Sequence, residues 1–327
     1  MRRYHMLIML AAGTMALSAG SNVLAEDSVT VMALKGPTAM GMVSLMNQTD
    51  QGEITDENYN FQIVASPDEV TPAIAQGTAD IAAVPANLAS VLYQKTDGGV
   101  QVLTINTLGV LYLVENGNQI QSISDLKGKT IYASGKGATP EYALNYILKE
   151  NGLTPGEDVQ IEWKSEHTEC VAALAEHEDA IALLPQPFVT TAQNKNDSLR
   201  VALDLTEEWD NIQKENGGNS SLVTGVTVVR TEFVQEHPEI VEDFMERYQE
   251  SVTFVNDHAE EAAKMIGNYD IIPEEIAKKA LPECNIVYID GAEMKEKLSG
   301  YLEVLEQENP QAVGGTLPAD EFYYDAE

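Results

Sequence analysis

The chain has 327 residues, 44% hydrophobic and 22% charged, a globular balance long enough for two α/β lobes. Its 52 acidic side chains against 19 basic ones leave a formal charge of −33, which excludes nucleic acid and disfavours an anionic lipid surface, since both need clustered Lys and Arg. The acidic surplus reads as a solvated surface. Two cysteines, Cys170 and Cys284, are too few for a disulfide framework, and pairing or two buried thiols both stay open.

The N-terminus has the pattern of an export signal over residues 1–25. Arg2 and Arg3 precede an apolar stretch over 6–17, and Val23-Leu24-Ala25 suits cleavage before Glu26. The apolar core is too short for a stable membrane span. Ser21 stands where a lipid anchor would need cysteine, so a secreted, unanchored protein is expected.

From Glu26 the pattern alternates. Strands are expected over 28–34, 59–65, 79–84 and 100–106, with helices over 39–47, 66–76 (capped by Ser66, stopped by Gly77) and 88–95. Such alternation predicts a mainly parallel sheet, whose ligands sit beyond the carboxyl ends of its strands. That rule puts 35–40, Ser66, 85–87 and Thr107 on one rim. Residues 107–115 read as an extended crossover into a second set.

That set opens with a turn over 125–129, a strand over 130–133 and the loop Ser134-Gly135-Lys136-Gly137. A helix then starts at Pro140 with Thr139 as its expected cap. The unpaired N–H groups of such a helix start favour an anion or a carbonyl oxygen. Lys35-Gly36-Pro37-Thr38 precedes a helix in the first half in the same way, so two helix starts would face one cleft. Further strands are expected over 159–164, 180–184 and 199–204, with helices over 168–176 and from Phe188 to about 194. After the Gly/Asn/Ser-rich stretch 217–221, residues 222–229 read as a return strand. Two crossings make a hinge. The last third reads as helical, over 239–255 (apolar at Ile240, Phe244, Tyr248, Val252 and Val255), 259–266, 273–281 and 291–306, packed on the first lobe and its hinge.

His167-Thr168-Glu169-Cys170 gathers metal-binding and nucleophilic residue types. A helix starting at Thr168 turns Glu169 and Cys170 to different faces, and no second His or Cys pair lies nearby, so a buried structural cysteine is expected. No phosphate-binding loop, Gly-x-Ser-x-Gly elbow or His-Glu-x-x-His is present. No catalytic residue, metal or cofactor is nominated.

Several motifs together resemble the type II solute-binding proteins of ABC importers, in the nitrate/sulfonate/taurine and thiamine-pyrimidine-precursor branch. They are Gln76-Gly77-Thr78-Ala79-Asp80-Ile81-Ala82, Asp125-Leu126-Lys127-Gly128-Lys129-Thr130-Ile131, Gly137-Ala138-Thr139-Pro140-Glu141, Leu184-Pro185-Gln186-Pro187-Phe188, and His237-Pro238-Glu239 within 233–254. The likeness spans nearly the whole mature chain and is specific for the fold rather than for the ligand. It implies an α/β, two-lobed periplasmic-binding-protein type II fold with mainly parallel sheets, two crossover strands and a helical C-terminal segment. The lobes would divide as 26–108, 109–222 and 223–327 returning to the first. The implied function is capture of a small molecule outside the inner membrane and delivery to an ABC permease, by a monomer.

Aligning loops with the family's cleft nominates Lys35, Pro37, Thr38, Ala39, Met40, Ser66, Asn87 and Thr107 in the first lobe. The second would add Lys136, Ala138, Thr139 and Gln186, with Glu166 a further candidate. Lys35 and Lys136 can neutralise an anion such as a sulfonate or nitrate. The mature chain's arginines, Arg200, Arg230 and Arg247, fall outside the cleft loops, so no bidentate clamp is evident and a neutral heterocycle or aromatic acid stays open. Two other readings share the fold: an extracytoplasmic sensor module feeding a receptor, and a pyrimidine-biosynthesis enzyme that consumes its own histidine, which export disfavours.

Overall fold

A computed structural model describes residues 28–177 and 179–325; the expected export signal lies outside the described residues. The first lobe begins with β1 (Val29–Leu34), α1 (Pro37–Met40), α2 (Val43–Asp50), β2 (Tyr59–Val64), α3 (Pro67–Ala75), β3 (Ile81–Pro85), α4 (Ala86–Lys95) and β4 (Val100–Leu108). The second contains β5 (Leu111–Asn116), β6 (Thr130–Ser134), α5 (Thr139–Glu150), β7 (Gln160–Lys164), α6 (His167–Glu176), β8 (Ile181–Pro185), α7 (Phe188–Lys195), β9 (Leu199–Asp204) and α8 (Leu205–Asn216). The chain then returns through β10 (Val223–Arg230), α9 (Thr231–Glu236), α10 (Pro238–Asp257), α11 (Ala259–Asn268), α12 (Glu274–Ala280), β11 (Ile286–Ile289) and α13 (Gly291–Glu308).

Two sheets result, ordered β11-β4-β10-β3-β1-β2 and β7-β6-β8-β5-β9. β1 pairs in parallel with β2 and β3, and β6 with β7 and β8, while β10 and β5 run antiparallel to their neighbours. The βα alternation therefore produces the expected two-lobed α/β fold with two crossings, its sheets mixed: most strands point one way, and β5, β10 and β11 run against them. α1, α2, α10 and α11 bury one face of the first sheet, and α6 and α7 one face of the second. The opposite faces share one apolar core, continuous between the lobes through Met294, Leu298, Tyr301, Leu302 and Leu305 of α13. Trp209 of α8 lies wholly in this seam, its ring 5.7 Å from that of Tyr301.

Several local expectations are corrected. The first helix is interrupted at Gly41 and Met42 into α1 and α2; a side chain at 41 would crowd Ile286, Val252 and the Tyr248 hydroxyl at 3.2–3.3 Å, so the close packing there needs glycine. The 107–115 crossover is two strands in different sheets, interrupted at Gly109-Val110. α8 was not anticipated, and the C-terminal third is not wholly helical, since β11 pairs with β4. In α10 it is Val241 that is buried, alongside Phe244, Tyr248, Val252 and Val255, whereas Ile240 only packs from the margin. Both cysteines are free and buried.

Candidate functional site

The strand pairings bring the carboxyl ends of the two sheets together. β4 ends at Leu108 and β5 begins at Leu111, with only Gly109 and Val110 between them. Leu111 pairs with Pro185, the last residue of β8, and Gly225 pairs with Pro85, the last residue of β3. The Gln186 amide also donates to the Val110 carbonyl at 3.0 Å. Beyond this crossing, β3 and β1 aim their carboxyl ends at those of β8 and β6. A side chain at Gly109 would collide with Thr206 and Leu222, so the crossing needs glycine there.

Most first-lobe candidates are spent on their own lobe. Ala39 and Met40 are fully buried in its core. Thr38 Oγ1 donates to the Leu34 carbonyl at 3.1 Å, and Thr107 Oγ1 to Asn106 Oδ1 at 2.9 Å. Asn106 Nδ2 in turn donates to Thr227 Oγ1 at 3.1 Å. Gly225 lies under this network, where a Cβ would press into Thr38 and Asn106. Ser66 caps α3, accepting from the Asp68 amide, while Glu69 accepts from the Ser66 amide. Asn87 donates to the Ala312 carbonyl at 3.5 Å. Lys35 holds Asp270 at 2.8 Å and keeps that carboxyl below its usual range. Pro37 is half-buried in α1, a single turn with little dipole to offer.

The second-lobe rim is more open. Lys136 is exposed and has no ion pair among the described residues. Ala138, half-buried, takes the N-cap position of α5 without a side-chain bond, and Thr139 is the first helical residue, not the cap. The Thr139 hydroxyl meets Tyr301 Oη of α13 at 3.0 Å, a partner 162 positions away. The Gly137 amide donates to Glu141 at 2.6 Å, so a carboxylate of the chain already occupies part of this helix start. Gln186 is buried, its Oε1 accepting from the Thr190 amide and hydroxyl. Glu166 is exposed at the N-cap of α6 and accepts from Thr168 Oγ1.

Sequence reasoning missed His167 as a rim residue. Three strand ends meet at its ring: Nδ1 shares a 2.6 Å hydrogen bond with Ser134 Oγ at the end of β6, and the ring lies 4.9 Å from Phe188 at the start of α7. Nε2 has no hydrogen-bond partner among the described residues. Burial lowers the histidine pKa below 6.5, favouring neutral imidazole. The usable signal was position, because the rule that placed 85–87 on the rim of the first sheet also places the first residues after β7 on that of the second. The Cys–His idea fails on geometry: Cys170 Sγ is directed at the Glu166 carbonyl, and burial raises its thiol to about 11.

The arginines do not serve the cleft. Arg200 holds buried Glu115, Arg230 holds Asp80 at 2.9 Å, and Arg247 holds Asp243 and Asp56. Among the described residues no cluster of His, Cys, Asp and Glu has the makings of a metal site, and no helix is long and apolar enough to cross a membrane. The second-lobe rim offers hydroxyls, amides, one imidazole, one lysine and an aromatic face.

A family model described as "ABC transporter, phosphonate, periplasmic substrate-binding protein" matches residues 48–243. No curated protein matches the sequence significantly. Among solved structures, an ABC transporter protein from Parabacteroides distasonis superposes with TM-score 0.77 and 23% identity over 92% of this chain and 99% of that one. The periplasmic aliphatic sulphonate binding protein SsuA from Escherichia coli gives 0.70 and 14% identity over 92% of each chain. The alkanesulfonate-binding protein SsuA from Xanthomonas axonopodis pv. citri, bound to MOPS, gives 0.60 and 13% over 89% of this chain and 94% of that one. At these identities the likeness is one of fold.

Proposed function

Because the chain belongs to the phosphonate-type periplasmic substrate-binding family of ABC transporters, we propose that it carries a small organic acid with a phosphonate or sulfonate headgroup, held between the carboxyl-end rims of the two lobes. The observation that carries the reading is the two-residue crossing at Gly109-Val110, which leaves those rims facing each other. Lobes of this kind close over a solute and exclude water. The headgroup would sit against His167 Nε2, Lys136 and the 134–139 loop, with its organic part against Phe188. The first lobe, 26–108 with 223–327, would be the platform and 109–222 the moving recognition lobe, in a secreted periplasmic monomer that docks on its permease.

A second reading keeps a specific observation. Glu141 already fills the Gly137 amide, and no arginine among the described residues reaches the rim, which favours a neutral heterocycle or aromatic acid. A thermal-shift panel separates the two, since a ligand bound only by the folded state raises its melting point. Methylphosphonate, ethanesulfonate or taurine should raise it in the first case, and a pyrimidine or benzoate in the second. A shift with nitrate alone would sink both.

A further inference from the structure

Ser134 and His167 meet because two strands end level. Ser134 closes β6 and pairs with Lys164, the last residue of β7, and only Ser165 and Glu166 separate that strand from His167 at the start of α6. Glu169 pins this link by accepting from the Ser165 and Glu166 amides at 2.8 and 3.2 Å. Ser134 is buried, its hydroxyl 2.6 Å from His167 Nδ1, while the imidazole is half-buried against Phe188.

The hydrogen bonds of this corner decide which ring nitrogen carries the proton. Burial keeps the imidazole neutral and the neighbouring Cys170 thiol protonated. One proton therefore belongs on sulfur, one on Ser134 and one on a single nitrogen of His167. Cys170 Sγ donates to the Glu166 carbonyl at 3.8 Å. If Nδ1 carried the ring proton and donated to Ser134 Oγ, the serine proton would face only the Cys170 sulfur among the described residues, a weak acceptor. With Ser134 donating to Nδ1 instead, each buried proton has an acceptor and the ring proton sits on Nε2. The first arrangement leaves a buried hydroxyl short of a partner, which is the costlier state.

Nε2–H is then left to the rim as an uncharged donor. The exposed Lys136 ammonium beside it is likewise a donor only. Two carboxylates flank the loop, Glu141 holding the Gly137 amide and Glu166 holding Thr168. We propose that Ser134 is a positioning residue that fixes His167 as an Nε2–H donor, and that the site thereby selects singly charged oxyanions bearing no proton of their own. The inference rests on the oxyanion reading above and narrows it. A sulfonate is such an ion, and so is a phosphonate monoester. A free phosphonate near neutral pH fits in neither of its forms. Its protonated form brings a hydroxyl for which Nε2 has no lone pair. Its dianion brings a second charge to a rim with one lysine, two carboxylates and, among the described residues, no arginine. Each mismatch leaves a polar group unpaired, and that is how such sites discriminate.

The test is heteronuclear NMR of the ligand-free protein near neutral pH, with the His167 ring signals assigned by their loss in His167→Gln. They should show Nε2 protonated and Nδ1 bare. Ser134→Ala should turn this single form into an exchanging mixture of both tautomers, and Ser134→Thr, which keeps the hydroxyl, should restore it. By calorimetry the wild type should bind ethanesulfonate and the monomethyl ester of methylphosphonate about tenfold more tightly than methylphosphonate, the scale of one hydrogen bond to a charged group, and Ser134→Ala should shrink that ratio to about two- to threefold. A wild-type ring protonated on Nδ1, or a spectrum unmoved by Ser134→Ala, would overturn the positioning role. Methylphosphonate binding as tightly as the other two would overturn the selection and leave the carrier reading intact. Failure of all three solutes to bind would remove the carrier reading and the selection together, while the spectra still decide whether Ser134 sets the tautomer. Should either Ser134 variant fail to fold by circular dichroism, the wild-type spectrum and the ranking of the three solutes decide alone.

Discussion

The two rims differ in how far their polar groups are already satisfied. In the first lobe Thr38, Asn106, Thr107, Ser66 and Asn87 all bond within the lobe, and Lys35 is held by Asp270. In the second lobe His167 Nε2 and Lys136 have no partner among the described residues. Groups satisfied internally give up little on meeting a solute, whereas unpaired groups exchange water for ligand. On the proposed site the first lobe would be a preformed platform and the second would do the reading.

The sharpest way to break that contrast is at the platform. Gly225→Val should drive a side chain into Thr38 and Asn106, costing about 1–3 kcal/mol in urea denaturation, as overpacking usually does. Solute binding should fall with it; an unchanged unfolding midpoint would show that the network tolerates displacement. On the other rim, His167→Gln should weaken methylphosphonate or ethanesulfonate binding about tenfold by calorimetry, the scale of one hydrogen bond to a charged group. Acid should separate the two proteins as well. The folded His167 pKa lies below its unfolded value, so the unfolded chain binds the extra proton and native stability is lost as the pH falls through about 6.5. The His167→Gln variant should lose less stability than wild type between about pH 7 and pH 5, the opposite ranking to that expected of an ion-paired histidine.

A smaller difference is expected between the two lysines. Lys136→Gln should weaken an anionic solute about two- to fivefold in low salt, while Lys35→Gln leaves affinity within error because Lys35 already serves Asp270. Equal losses would place both charges at the solute. The least effect belongs to Tyr248→Phe. That buried hydroxyl has no well-formed hydrogen bond among the described residues and lies beside an Asn106–Thr227 pair already bonded to each other, so its removal should change stability by less than about 1 kcal/mol.

The alternation of strands and helices was legible because each strand is an apolar run ending in a turn residue, as with 79–84 before Pro85. α8 was legible in principle: Leu205, Trp209 and Ile212 recur at helical spacing between the Asp204 cap and Gly217, but the acidic remainder of the segment masked them. β11 is only four residues long and follows Asn285 at positive φ, so its identity as a strand depends on β4 being there to pair with it. The site was harder to read. Sequence places Thr139 and Asn87 just beyond strand ends, but their partners Tyr301 and Ala312 lie far along the chain, and no local pattern records such a contact. His167 was seen beside Cys170 and weighed as chemistry, whereas its ring belongs with Ser134 and Phe188.

The strand order of the first sheet also governs when that lobe can be completed during synthesis. Among the described residues β4 is flanked by β10 on one side and by β11, with a bridge from Val102 to Tyr323, on the other, and all of these are encoded after the entire second lobe. Both edges of β4 stay unpaired until residue 230 has left the ribosome, and one of them until residue 289, a state of long-range contacts still to be made and slow to close. A chain so wired stays unfinished over most of its translation.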